Sequence, residues 1–192
     1  MCYSKCSSEH CGHGQKDIQL DSLDRRSLPI PTTPWQQEAL NHLNVASHFA
    51  KRLKNDESAK KCLKAYLAVA RFALEKADAL DSKLGVHLLV LESQLAEAMR
   101  QFSKEASLNK KALALARTVY DDTHPWTGLA MFNRAEDFLE EARTEIAVGM
   151  LQKVIEIMSS PLSVMGDFTP EYLTFLRNAA SAQIDNATAP LT

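Results

Sequence analysis

Five potential metal ligands crowd the first thirteen residues of the chain. Thiolates and imidazoles are the side chains that zinc and copper(I) prefer, and four of them close a tetrahedral shell. Their spacing differs from that of zinc fingers, in which paired ligands bracket a folded segment. Metal binding therefore stays one hypothesis, beside acylation of a cysteine and an inert tail. The candidate ligands are Cys2, Cys6, His10, Cys11 and His13.

The remaining reactive side chains do not form a recognisable catalytic set. No P-loop, dinucleotide-binding fingerprint, nucleophile elbow or metalloprotease helix occurs. His42, His48 and His87 have no nucleophile or carboxylate partner at a telling spacing. The adjacent Glu140 and Glu141 diverge on a helix, so they cannot act together as general acid and base. We predict that the protein is not an enzyme, with a helical enzyme as an open alternative.

The composition indicates a single all-α domain. The chain has 192 residues, of which 45% are hydrophobic, and only 6 Gly and 7 Pro. Its long uninterrupted spans are rich in Ala, Leu, Lys, Glu and Gln, which lose little conformational freedom in a helix. Val and Ile are sparse, so no span favours a strand.

Charge is distributed unevenly along the chain. Residues 1–120 carry 18 basic and 13 acidic side chains, whereas residues 121–192 carry 4 and 11. This asymmetry predicts a dipolar surface that orients a charged partner. Basic residues are diluted by acids and few aromatics lie among them, so nucleic acid is not expected as a partner. No segment predicts a transmembrane helix or a signal-peptide core, and the cytoplasm is the expected location.

Apolar residues at spacings of three and four predict seven helices in antiparallel hairpins. We expect a flexible tail with a Pro-rich linker over 1–34, a helical domain over 35–187 and a short tail over 188–192. The residues expected to cap helices are Thr33 before Pro34, Ser82, Ser103, Asp122 or Thr123, and Thr169 before Pro170. The predicted helices are 35–54, 57–80, 83–102, 104–120, 125–142, 144–159 and about 170–184.

The helices pair into hairpins, and residues 112–159 carry a pattern of small and apolar sites around a turn. These residues are Ala112, Leu113, Ala114, Leu115, Val119, His124, Pro125, Ala135, Glu136, Phe138, Glu140, Glu141, Ala147, Leu151, Val154 and Ile155. The pattern resembles the tetratricopeptide repeat, in particular the longer repeat of kinesin light chains. Residues 35–111 match it more loosely, and Ala142 stands where the family usually has Gly. The resemblance implies a right-handed superhelix of about three repeats with the last helix as a cap.

The resemblance also implies a concave groove that binds an extended peptide. Aligning Ala46, Ala96 and Ala135 places Asn44, Gln94 and Asn133 at one repeated site. An amide can satisfy a backbone N–H and a C=O together, so three of them would hold a peptide backbone. Further groove residues expected on this alignment are Leu43, Lys51, Leu129, Phe132 and Glu136.

We therefore expect a non-enzymatic adaptor that binds a peptide or helix of another protein in this groove. A short stack of this kind also makes a homodimer an open expectation. The alternative function is that of a zinc- or copper-binding, or redox-responsive, helical protein acting through the N-terminal Cys/His cluster. No other cofactor is expected.

Overall fold

The computed structural model describes residues 31–53, 56–160 and 168–189. Within these ranges every regular element is an α-helix, so the predicted all-α class is confirmed. The helices are α1 (Pro34–Ala50), α2 (Glu57–Lys76), α3 (Lys83–Ala98), α4 (Phe102–Val119), α5 (Pro125–Glu140), α6 (Thr144–Ser159) and α7 (Pro170–Thr188).

Three helix starts are capped at the residues that the sequence indicates. Thr33, Ser82 and Thr169 each accept a hydrogen bond from a backbone N–H in the first turn of the following helix. Pro34 and Pro170 occupy first-turn positions where a missing N–H costs nothing. Local sequence therefore determines where α1, α3 and α7 begin.

The start of α5 is capped by a residue other than the predicted Asp122 or Thr123. His124 is the N-cap, and its Nδ1 accepts the backbone N–H of Trp126 at 3.2 Å. Thr123 instead donates its own N–H to Asp121 Oδ1 at 2.7 Å. The Asx turn formed by Asp121 thus shifts the helix start by one residue.

The α3–α4 and α5–α6 hairpins close with the same turn. Arg100 and Ala142 each have a φ of 57°, in the left-handed region. In both turns the following residue donates its N–H at 2.8 Å to the carbonyl five residues before it, as in a Schellman motif. Both helices of the second hairpin begin 42 residues after their counterparts in the first. The two hairpins therefore share the spacing of their helix starts and the geometry of their turns.

Two hydrophobic cores meet at α3. The N-terminal core joins α1, α2 and α3, and the C-terminal core joins α3 to α7. Leu88 and Leu91 of α3 belong to the first core, and Val86 and Val90 belong to the second. Each helix packs against the next one in the chain, α1 also packs against α3, and α5 against α7.

Helices α3, α5 and α7 run in the same direction. Their N-terminal ends are connected by ring contacts from His87 to Trp126 and from Trp126 to Phe168, both at 5.0 Å, and from Phe168 to Tyr172 at 5.3 Å. At the opposite ends, α5 and α7 are joined by a hydrogen bond between their side chains. The C-terminal ends of these helices therefore lie at the same end of the domain.

The turn at Ala142 yields a test of this geometry. An L-residue in the left-handed region is strained by about 1–2 kcal/mol, and Gly relieves that strain at a smaller entropic cost. We expect Ala142→Gly to raise the free energy of unfolding by about 0.5–1 kcal/mol, measured by urea denaturation. As a matched control, Ala114→Gly on the exposed side of α4 should lower it by about 1 kcal/mol. Destabilisation by both substitutions would contradict the left-handed turn.

Candidate partner-binding site

The predicted amides on α3 and α5 are accessible and have no partner. Gln94 and Asn133 are half-buried, and within the described residues neither side chain makes a hydrogen bond. Each lies three residues before a carboxylate, Glu97 on α3 and Glu136 on α5, and therefore on the same helical face as that carboxylate. This face combines free amides with acidic side chains.

The hairpin turns show which residues are equivalent in the two repeats. With an offset of 42 residues, the counterpart of Gln94 is Glu136 and not Asn133. The alignment of Ala96 with Ala135 is therefore three residues out of register. It relied on matching alanines, which are frequent in this chain, whereas the register is set by the left-handed turn residues.

Asn44 lies at a different level from Gln94. Ser47, one turn after Asn44, has its Oγ 3.3 Å from Nε2 of His87, which lies two turns before Gln94. Because α1 and α3 are both antiparallel to α2, they run in the same direction, and the two amides are separated by about 15 Å along the helices. The three predicted amides therefore do not form one level row.

The other predicted groove residues divide between core and surface. Leu43 is 0% exposed and Leu129 is 5% exposed, and both pack in the hydrophobic cores. Phe132 is half-buried against the C-terminal core. Lys51, at the end of α1, and Glu136 are exposed. Of these five residues, only the last three offer atoms to a partner.

A cleft of about 490 Å³ opens where the C-terminal ends of α5 and α7 meet the start of α6. We refer to it as the acidic cleft, after Glu136 and Glu140 on its α5 wall. On the opposite wall, Gln183 Nε2 donates a 2.6 Å hydrogen bond to Glu136 Oε1. Gln183 Oε1 is buried and accepts no hydrogen bond from any described residue. The full lining is Glu136, Leu139, Glu140, Thr144, Gln183, Asn186 and Ala187.

Partial loss of solvent and crowded negative charge perturb Glu136. Its side chain is exposed, but nearby protein atoms shield the carboxyl group from part of the solvent. This burial raises the pKa of Glu136 to about 7, against the lowering effect of the Gln183 hydrogen bond, and the carboxylates of Glu97, Asp137 and Glu140 add to the rise. A cation placed here would favour the ionised form and relieve the repulsion.

A second carboxyl group at the start of α4 is perturbed in the same way. Partial burial, followed by the carboxylates of Glu97 and Asp137, raises the pKa of Glu105 to about 7. Glu136 and Glu140 contribute smaller effects of the same sign. The ends of α3 and α5 and the start of α4 therefore share one negative field.

Arg134 does not neutralise the acidic cleft. Its guanidinium forms ion pairs with Asp137 at 3.0 Å and Glu141 at 3.6 Å, and it lies over the ring of Phe138 at 4.1 Å. Asp137 also accepts a hydrogen bond from Asn109 Nδ2 at 3.0 Å. This buried network uses the positive charge of Arg134 internally and leaves the cleft carboxylates uncompensated.

Sequence reasoning missed two contributors to this site. Gln183 meets Glu136 across 47 residues of chain, and Glu105 belongs to a helix that was not expected to face the groove. Neither residue carries a local signal, because both are ordinary polar residues on amphipathic helices. Only the packing of α4 and α7 beside α5 brings them to the cleft.

The proposed N-terminal metal ligands Cys2, Cys6, His10, Cys11 and His13 lie outside the described residues. In the part of the chain that the structure describes, no group of three His, Cys, Asp or Glu side chains is arranged to hold a metal ion. None of the described helices is long and apolar enough to span a membrane.

Comparison with known proteins adds no relative. No protein-family model matches the chain, and no curated protein matches it either.

The raised pKa of Glu136 predicts a pH-dependent cost to stability. The folded state holds this proton more tightly than the unfolded chain, so the cost is absent below the ordinary pKa of 4.5 and complete above about 7. We expect Glu136→Gln to raise the free energy of unfolding by about 1 kcal/mol near pH 8, after allowing for solvent screening, and to leave it unchanged near pH 4.

Denaturation at both pH values measures this effect, with Glu156→Gln, at an exposed position on α6, as control. An equal change at the two pH values would rule out a proton-linked cost at Glu136.

Proposed function

We propose that the chain is a non-enzymatic adaptor that binds a peptide segment of another protein, and that the acidic cleft takes a Lys or Arg side chain of that segment. The main observation that supports this proposal is the group of carboxylates at the end of the domain where the acidic cleft opens. Within the described residues, no cation pairs with Glu97, Glu105, Glu136 or Glu140. A guest ammonium or guanidinium group would supply the missing positive charge.

The cleft has a second feature that suits a cationic side chain. Gln183, on the cleft wall, has a buried Oε1 to which no described residue donates a hydrogen bond. A buried acceptor without a donor loses free energy, and the N–H groups of Lys or Arg would satisfy it. Together with Glu136 and Glu140, this oxygen would form a polar receptor for a charged head group.

The rest of the peptide would lie along α3 and α5. Gln94 and Asn133 stand one turn before the carboxylates on the same helical face, and their free amides can donate to and accept from an extended backbone. The 42-residue repetition of the two hairpins and the common direction of α3, α5 and α7 support a tetratricopeptide-like stack as the scaffold. In this proposal the protein acts in the cytoplasm.

Selection from a randomised peptide library tests the function and the site together. We expect bound peptides to be enriched in Lys or Arg, and binding to weaken as salt rises. The double variant Glu136→Gln/Glu140→Gln should weaken binding of an enriched peptide at least about tenfold, since it removes two charges facing the guest. The matched variant Glu38→Gln/Glu156→Gln, at exposed sites of α1 and α6 outside the cleft, should change it less than about twofold.

Acidity should modulate the same interaction. As pH falls from about 8 to about 6, Glu105 and Glu136 take up protons, and the affinity for a basic peptide should fall.

Absence of enrichment, enrichment of acidic peptides, or equal binding by the cleft variant would each refute the proposed site. Fluorescence anisotropy with a labelled peptide measures its affinity for the wild type and each variant at each pH.

A further inference from the structure

Helix α2 carries a second apolar surface that faces away from the N-terminal core. Its core side is formed by Leu63, Leu67, Ala70 and Leu74. On the opposite side, exposed residues recur with spacings of four, three, four and three, which places them along one stripe of the helix. We refer to this as the α2 stripe; its residues are Lys61, Ala65, Ala68, Phe72 and Glu75.

Two large aromatic side chains mark the C-terminal half of the stripe. Phe72 is 51% exposed, and Trp35 of α1 is 45% exposed with its ring edge-on to Phe72 at a centroid distance of 6.1 Å. Val69, beside the stripe, is also exposed. Exposed Trp and Phe in contact are typical of the energetic centre of a protein interface.

We propose that the α2 stripe is the interface of a homodimer, in which the α2 helices of two copies pack antiparallel about a two-fold axis beside Ala68. The proposal concerns a surface on α1 and α2, whereas the acidic cleft is built from α5, α6 and α7. The dimer can therefore be tested independently of the peptide-binding function.

The stripe is complementary to itself in size. In an antiparallel pair centred on Ala68, a residue just before the centre lies opposite one equally far after it. Phe72, four residues after the centre, then lies between Lys64 and Ala65 of the other copy, and the small Ala65 leaves room for the ring. At the centre, Ala68 meets its own counterpart and lets the two helices approach closely. The two-fold axis generates the Phe72 contact twice, once from each copy.

The stripe is also complementary to itself in charge. Lys61 and Glu75 stand seven residues to either side of Ala68, and both are exposed. In the antiparallel pair, Lys61 of one copy faces Glu75 of the other at both ends of the interface. A parallel arrangement would bring like charges together and is disfavoured. Opposite charges at the two ends of an apolar stripe thus favour a second copy of the chain as the occupant.

Sedimentation equilibrium of the full chain tests the dimer. We expect a concentration-dependent monomer–dimer equilibrium with a dissociation constant in the micromolar range. Ala68→Glu puts two carboxylates face to face at the two-fold axis and should weaken the dimer about 100-fold or more. The control Ala114→Glu, the same substitution at an exposed site of α4, should leave the dissociation constant within about twofold.

A charge exchange tests the antiparallel register. Lys61→Glu and Glu75→Lys should each weaken the dimer about tenfold, because each places like charges opposite one another at both ends. The double variant Lys61→Glu/Glu75→Lys should return to within about threefold of the wild type, because the pairs reform with opposite signs. Circular dichroism checks that every variant keeps its helix content.

A wild-type chain that stays monomeric would overturn the proposal. The same result is expected if the stripe binds a helix of another protein instead of a second copy. A dimer that tolerates Ala68→Glu would place the interface elsewhere. A double variant no tighter than the single ones would overturn the antiparallel pairing even if Ala68→Glu alone failed to fold. Growth into larger oligomers with concentration would exclude a closed two-fold contact.

Discussion

Helix α3 is the element on which the rest of the structure depends, because its side chains belong to both hydrophobic cores. His87 lies where the cores meet, 3.3 Å from Ser47 of α1 and with its ring 5.0 Å from that of Trp126 in α5. Burial lowers the pKa of His87 to about 4, so the ring is neutral. Since Ser47 donates its hydroxyl to the carbonyl of Leu43, His87 Nε2–H is the donor in the contact between them. Through α3, the first hairpin determines where the others stack.

The direction of the helices connects this packing to function. Because α3, α5 and α7 run in the same direction, their C-terminal ends gather at one end of the domain. The chain adds Glu97, Glu136 and Glu140 there and ties Arg134 into a separate buried network. Stacking thus concentrates negative charge that no described side chain balances, and the guest that best completes the site carries a positive charge.

Much of the fold follows from local sequence signals, but the site does not. Helix periodicity and the cap at Thr33 predict the helices, since these patterns act over a few residues. The cap predicted at Ser103 is wrong, because the left-handed Arg100 ends α3 early and α4 already begins before Ser103. The alignment of Ala96 with Ala135 also overlooked the left-handed turn residues, which set the offset between the two hairpins. The contact of Gln183 with Glu136 depends on packing between helices distant in sequence.

The most direct test of this account is a pH titration of the side-chain carboxyl carbons by NMR, in the full chain without a peptide. Both Glu105 and Glu136 should titrate with a pKa of about 7, and the addition of a basic peptide should lower both values. Titration of both groups near the ordinary 4.5 would mean that the carboxylates are not gathered as described, and the acidic cleft would lose its role.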